Sequence, residues 1–584
     1  MKKLFVATAL LLLVFNLFAG CDTPKGSASD SLTVADNNPS PVESTAANLS
    51  QSDFWNLDYA TVKYDSSGGQ SWVARYNGPA NAFDEAQAIA VDESGNTYVT
   101  GASMGSGNGT QSDYATIKYD KNGQQIWAAR YSGTGYGGSM PQAISVDSIG
   151  NVYVTGDSAG TNNGSEYATV KYDSSGRQLW VARYSGPGNS SGAYALAVDV
   201  SGNVYVTGFS RGSNSVDDFA TIKYDSNGHQ LWVSRYANGS PFALTLDKQG
   251  NVYVTGFTRI NGGDYATVKY DNNGKQIWAA TYNGHGNGND VAYGLAVDGT
   301  GNVYITGRST GASGIGNDYA TVKYDSDGQQ LWVVRYHGLV SSDDTANKLA
   351  LDPAGNVYVT GQSGRANGNR DMTTIKYDTN GATLWVARYS SSENSDNIGW
   401  DLAVDLSGNV YVAGQSGIAG ATWNYAVVKY DGNGKQAWAV QYHGPGVGVD
   451  EARAVAVDKN GNVYVTGQST GNAGVAQMTQ APWSGVKIYT AANQTIQVKI
   501  GEEFAFGFDT FSAGGLTWDE QHDDSMVSLE DEEEISVKPQ YPSNENTWFL
   551  LKALKAGNTQ ITFTYSMGGG LPTNDQKVVN IEIK

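Results

Sequence analysis

Ala195-Leu196-Ala197-Val198-Asp199-Val200-Ser201-Gly202-Asn203-Val204-Tyr205-Val206-Thr207-Gly208 decides the fold. Small, β-branched and aromatic residues alternate with period two on both sides of Asp199-Val200-Ser201-Gly202. Asp closes a turn with its own carboxylate, and Gly takes the positive φ that a short hairpin needs. The stretch therefore reads as two antiparallel strands. Its second half recurs from Asn96, Asn151, Asn203, Asn251, Asn302, Asn356, Asn409 and Asn462, at intervals of 55, 52, 48, 51, 54, 53 and 53 residues. A period near fifty indicates a ring or solenoid of like units, not a row of independent domains.

Two more signatures complete each unit. One is Asp58-Tyr59-Ala60-Thr61-Val62-Lys63-Tyr64-Asp65 and its copies. The other ends on a pattern such as Trp180-Val181-Ala182-Arg183-Tyr184, reached through a second Asp-x-x-Gly turn at Asp173-Ser174-Ser175-Gly176. Four short strands joined by tight turns make an antiparallel meander, the blade of a β-propeller. The first strand is small-residued, as expected near a crowded axis. The last carries Trp and Tyr, as expected where blades splay apart. The count at the ends predicts closure. The array opens with a third and fourth strand (residues 59–65 and 71–76) and ends with a first and second (452–458 and 462–467). Seven complete blades lie between, and the two halves make an eighth, which removes the open edges of an array. The expected fold is all-β: an eight-bladed propeller over residues 58–467 with 2+2 strand closure, then a linker (468–484) and an Ig-like β-sandwich (485–584).

The repeat resembles the SBBP type of β-propeller repeat, carried by Tyr-Ala-Thr-Val-Lys-Tyr-Asp, the following Trp, and Asn-Val-Tyr-Val-Thr-Gly. The resemblance implies a fold and no reaction. Trp72, Trp127, Trp180, Trp232, Trp278, Trp332, Trp385 and Trp438 recur once per unit, which assigns them to packing between blades; a sugar platform is the alternative. Function is expected where units differ, in the loops 105–112, 134–139 and 394–400. The Asp-x-x-Gly-x-x-x-Trp spacing departs from that of neuraminidase-type Asp-boxes and of quinoprotein dehydrogenases, so neither catalytic family is matched. His229, His285, His337, His443 and His522 fall singly, without metal-ligand spacing. Asp325-Ser326-Asp327-Gly328 reads as a capped turn and not a calcium loop. The acidic pairs Asp84-Glu85 and Asp450-Glu451 read as solvated loop charges. No catalytic residue, metal or cofactor is expected, and the protein reads as a non-enzyme.

The first twenty residues read as a secretory signal: Lys2 and Lys3, an apolar run over residues 4–18, then Ala19-Gly20-Cys21. Leu17-Phe18-Ala19-Gly20-Cys21 resembles a bacterial lipobox, which implies acylation of Cys21 and an envelope protein anchored to a membrane after secretion, facing the periplasm or the cell surface. Cys21 is the only cysteine, so the body has no disulfide. Residues 21–57, rich in Ser, Thr, Asn, Asp and Pro, read as a flexible tether. The net charge of −20 argues against nucleic acid as a partner.

Beyond residue 484 the pattern changes, with strands expected at 495–500, 503–508, 547–553, 558–565 and 577–583. Here the sequence resembles the chagasin family of cysteine-peptidase inhibitors, through Thr495-Ile496-Gln497-Val498-Lys499-Ile500-Gly501-Glu502, Gly515-Leu516-Thr517-Trp518, and Ala556-Gly557-Asn558-Thr559 with Phe563-Thr564-Tyr565. The resemblance implies three loops wedged into the cleft of a papain-like cysteine peptidase. The candidate residues are Ser512, Ala513, Gly514, Gly515 and Leu516; Asn544, Glu545 and Asn546; and Met567, Gly568 and Gly569. The family's Asn-Pro-Thr-Thr, its middle-loop glycines and its Arg-Pro-Trp are replaced at these places. The acidic run 530–534 reads as a solvated turn. Two functions follow: an anchored peptidase inhibitor displayed on a propeller, or a propeller that binds glycan or protein beside a non-inhibitory sandwich.

Overall fold

Each repeat folds into four antiparallel strands, a to d. In residues 191–236 they are Ser191–Val198, Val204–Arg211, Asp217–Tyr224 and Gln230–Tyr236, hydrogen-bonded in that order. The computed structural model describes residues 57–471, apart from 106–110, 162–163, 237, 260–261, 287, 312–315, 340–342, 393–394, 418–422 and 447, and the strand backbone beyond 486. Blades 1 to 7 span 84–131, 140–184, 191–236, 239–282, 291–336, 345–389 and 396–442. Blade 8 takes its a and b strands from Asp450–Val457 and Val463–Thr470, and its c and d strands from Leu57–Tyr64 and Gln70–Tyr76. The register runs without a break from Leu57 opposite Thr470 to Tyr64 opposite Val463. The ring thus reaches to Thr470, three residues past the expected boundary, because residues 468–470 still have strand partners in residues 57–59.

The closing blade repeats the internal contacts of its neighbours. Thr61 and Thr466 hydroxyls lie 3.0 Å apart, as do Thr100 and Thr116 in blade 1. Strand a of every blade packs against strand a of the next, including blade 8 on blade 1, so the a strands are innermost.

One set of bonds recurs at all eight interfaces. Each repeated Trp donates its indole N–H, at 3.0–3.2 Å, to a backbone carbonyl in the c–d turn of the next blade: Trp127 to Ser174, Trp438 to Ser66, and so round the ring. The strand-c lysine donates to the same carbonyl. Its ammonium lies 4.8–5.0 Å from the centre of a strand-b Tyr ring, a cation–π contact. The turn glycine lies flat on the indole; at Gly176, with φ +85°, an added Cβ would stand 2.6 Å from Trp127. The tryptophans are half-buried, not fully buried, because the next turn covers one face and leaves an edge at the rim. In each a–b turn the Asp carboxylate receives the Asn side-chain amide and the strand-b Tyr hydroxyl. Burial raises Asp199's carboxyl, but these bonds outweigh it and leave it below its ordinary value.

A second clasp joins six interfaces. Arg335 of blade 5 binds Asp318, the Ser309 hydroxyl and Tyr282 of blade 4. Arg75, Arg130, Arg183, Arg235 and Arg388 repeat it, Arg183 with Glu166 in place of the Asp. In blade 7 both charges are replaced together, by Gln441 and Asn424. In blade 4 only one is: Thr281 stands at the Arg position, and Asp264 is 6% exposed with an Oδ1 that has no hydrogen-bond partner among the described residues. Burial first, and Asp290 second, raise the Asp264 carboxyl above its ordinary value. Its ionisation therefore costs stability as pH rises through that value. Thr281→Arg supplies the missing cation, with an expected gain of about 1–3 kcal/mol at neutral pH. Denaturant unfolding at pH 7 and at about pH 4 checks it: the gain should shrink on acidification, once Asp264 is protonated.

Past residue 486, Lys487–Tyr489, Glu503–Phe511, Asn544–Ala553 and Val527–Ser536 form one four-stranded sheet, and Thr495–Val498, Leu571–Ile583, Gly557–Met567 and Leu516–Gln521 a second, each in that order. Residues 530–534, expected as a turn, belong to the edge strand Val527–Ser536, bulged between Leu529 and Asp531. Charge and a bulge on an edge strand oppose pairing with other chains.

Candidate ligand site at the propeller axis

With the Trp, Lys and turn-Asp bonds alike in every blade, the chemistry that differs stands out. Every a–b pair skips one residue of strand a. A bulge of this kind re-aims the extra side chain. The skipped residues of blades 1 to 4 are Gln87, Gln142, Tyr194 and Phe242; those of blades 5 to 8 are Tyr293, Asn347, Trp400 and Arg453. All eight are half-buried, although they sit on the innermost strands.

They touch from blade to blade. The Tyr194, Phe242 and Tyr293 rings follow one another with centroids 5.5 Å apart, tilted by 39° and 44°. Those angles match the turn of about 45° between blades of an eightfold ring, so each ring keeps one pose relative to its own blade. Centres 5.5 Å apart on such a circle lie about 7 Å from its axis. Phe209 and Phe257, on the neighbouring b strands, extend the wall, Phe257 stacking on Phe242 at 5.9 Å. The opposite arc is polar. Arg453 lies 5.5 Å from the centre of Trp400 and pairs with Glu85 of blade 1 (3.1 Å) and Glu451 (2.9 Å). Asn347 donates to the Gly399 carbonyl at 2.8 Å. Asp157 of blade 2 is pushed up to about 6, by burial against the opposing Gln142 bond.

The acidic pairs expected as solvated loop charges are strand residues, three of them buried and Glu451 half-buried. Asp84 is fully enclosed and Glu85 2% exposed. Asp84 and Asp450 accept the N–H groups of Gly78 and Gly444, and Glu85 and Glu451 hold Arg453. The bulge breaks the alternation just after them, so period-two reading ends the strand too soon. His229, His337 and His443 also gain a partner, and His522 lies outside the described residues. His337 Nδ1 lies 2.9 Å from Asp318, near Asp344. Asp318 already takes Arg335, and Asp344 takes the Gly338 and Gly364 N–H groups. His443 repeats the geometry on the neutral Asn424, so the arrangement fits hydrogen bonding and not metal ligation. Asp325 accepts the N–H groups of Asp327 and Gln329, as a turn cap does.

Of the loops expected to differ, 105–112 and 394–400 lie partly outside the described residues, and Trp400 is a strand residue at the axis. Cys21, Ser512, Ala513, Gly514, Gly515, Gly568 and Gly569 lie outside the described residues. Leu516 and Met567 are strand ends paired with each other, and Asn544, Glu545 and Asn546 open a strand and do not form a loop.

The framework is that of a closed β-propeller without a catalytic set among the described residues. The model of the SBBP beta-propeller repeat matches residues 280–314, 334–369 and 438–472. Each match runs from the end of one blade through strands a and b of the next, so the chain carries SBBP repeats. It is 32% identical over 116 residues to the regulatory protein FlaEY of Caulobacter vibrioides, covering 18% of this chain and 12% of that protein; the chain thus spans about an eighth of that relative's length. Among solved structures, the Dos1 propeller matches 69% of this chain and 94% of its own, at 12% identity and TM-score 0.39. The cysteine protease inhibitor EhICP2 of Entamoeba histolytica matches 17% of this chain and 96% of its own, at 19% identity and TM-score 0.16.

Proposed function

We propose that the protein is a non-enzymatic binding protein of a cell envelope, anchored through Cys21. Its propeller is a rigid binding and display body, and its C-terminal sheets block papain-like cysteine peptidases. The supporting observation for the inhibitory arm is strand register. Phe511 is opposite Asn544, Leu516 opposite Met567, and Met567 opposite Leu571. Phe511 and Asn544 thus close one sheet, and Leu516, Met567 and Leu571 close the other, which supports the chagasin resemblance, since that family carries its wedge loops between paired strand ends. Titration of the full chain against papain, reading residual hydrolysis, tests it. Reversible inhibition with an apparent Kd below about 1 μM is expected, and full activity at about 10 μM protein refutes the inhibitory arm.

The second reading, a propeller that binds its own ligand while the C-terminal sheets do not inhibit, is favoured by the axial ring. Eight framework-equivalent positions carry six residue types there, whereas a purely mechanical support needs no such variety.

A further inference from the structure

We infer that the aromatic wall of blades 3 to 5 is a saccharide-binding site. The inference rests on reading the propeller as a binding body and is independent of peptidase inhibition. Tyr194, Phe242 and Tyr293 are large rings on the innermost strands, yet none of them is fully buried. The residues that follow them, Ala195, Ala243 and Gly294, are small, so closing the ring does not require bulk at this level. Three rings in one repeated pose form a curved strip of aromatic surface, suited to the C–H face of a sugar.

The ends of the strip choose among ligands. Beside Tyr194, on blade 2, stands the Asp157 carboxyl with Gln142. Beside Tyr293, on blade 5, stands Arg308, which makes no ion pair among the described residues and whose buried Nε has no acceptor. An apolar side chain on the strip would leave the buried Arg308 Nε without an acceptor. A cation would meet Arg308, and also Arg259, already 5.6 Å from the Phe257 centre. Each sugar hydroxyl both donates and accepts. A neutral saccharide can therefore donate to Asp157 at one end and accept from Arg308 at the other, without adding charge.

The test is calorimetric titration of the full chain with neutral hexasaccharides of β-1,4-glucan, β-1,3-glucan, xylan and mannan type. At least one is expected to bind. Phe242→Ala and Arg308→Met are each expected to weaken it by about tenfold or more, with papain inhibition unchanged. Thermal unfolding of each variant shows whether the ring is intact. Should Phe242→Ala unfold, Arg308→Met carries the test, since that guanidinium has no hydrogen-bond or ion-pair partner among the described residues. No binding at millimolar saccharide, or equal binding by wild type and folded variants, overturns the inference. Binding of tetramethylammonium in place of the saccharides assigns the wall to cations and overturns it too.

Discussion

Deletion of residues 53–80 should abolish cooperative folding of the propeller or lower its melting temperature by at least about 15 °C. The deletion removes strands c and d of blade 8. With them go Leu57, Tyr59, Val62 and Tyr64, all buried in the ring, each large side chain worth about 1.5–3 kcal/mol of burial. It strips both interfaces of the closing blade. Trp438 and Lys429 of blade 7 lose the Ser66 carbonyl, and Tyr425 loses the Ala60 carbonyl. On the other side, blade 1 loses Trp72, whose indole reaches Lys121. What remains exposes strand b of blade 8 as an eight-residue edge, an invitation to aggregate. Domain stabilities of about 5–15 kcal/mol do not absorb losses on that scale. Differential scanning calorimetry reads the outcome. A synthetic peptide of residues 53–80 should restore part of the transition in a concentration-dependent way, by adding back as a strand. An unchanged melting temperature would mean that the ring does not close through these strands.

Closure was legible because an array that starts at a third strand and stops at a second has one economical topology. The blade was legible because Asn-Val-Tyr-Val-Thr-Gly and Tyr-Ala-Thr-Val-Lys-Tyr-Asp keep strict alternation between capped turns. The axial site was not, because a search for what recurs passes over positions where nothing recurs. Gln87, Tyr194 and Arg453 share only the frame Ala-x-Ala around them, and that frame was the available signal. The bulge hides the site further: one extra residue reverses the in-out alternation, so Asp84 and Glu85 look like loop residues when they are the first, buried residues of a strand. Residues 530–534 depart from the expected turn for another reason. Five consecutive acids have poor β-propensity, and it is their place at a sheet edge that makes a strand tolerable there.

The bulge also explains the glycine that ends every second signature, and this yields the other large expected effect. Gly307→Ala should destabilise the protein by more than about 3 kcal/mol. Gly307 needs no positive φ; it needs room. A Cβ there would stand 1.9 Å from the Val291 carbonyl oxygen and 2.8 Å from the Ala292 Cα. Both are backbone atoms, so no rotamer change relieves the clash. Either the strands part, or the bulge straightens and Tyr293 moves to the opposite face, as any one-residue slip requires. The same contact is 1.8–2.1 Å in the other seven blades. Gly299→Ala is the matched control in the same blade, because a Cβ there meets nothing within 4 Å, and its cost should stay within about 0.5 kcal/mol. Denaturant unfolding of the two variants separates them, and equal, small effects would mean that the a–b pairs carry no bulge. A large effect confined to Gly307→Ala would tie the most regular residue of the repeat to its most variable one. The glycine is invariant among the blades because it makes space for a bulge, and the bulge is what frees one side chain per blade from the ladder to face the axis.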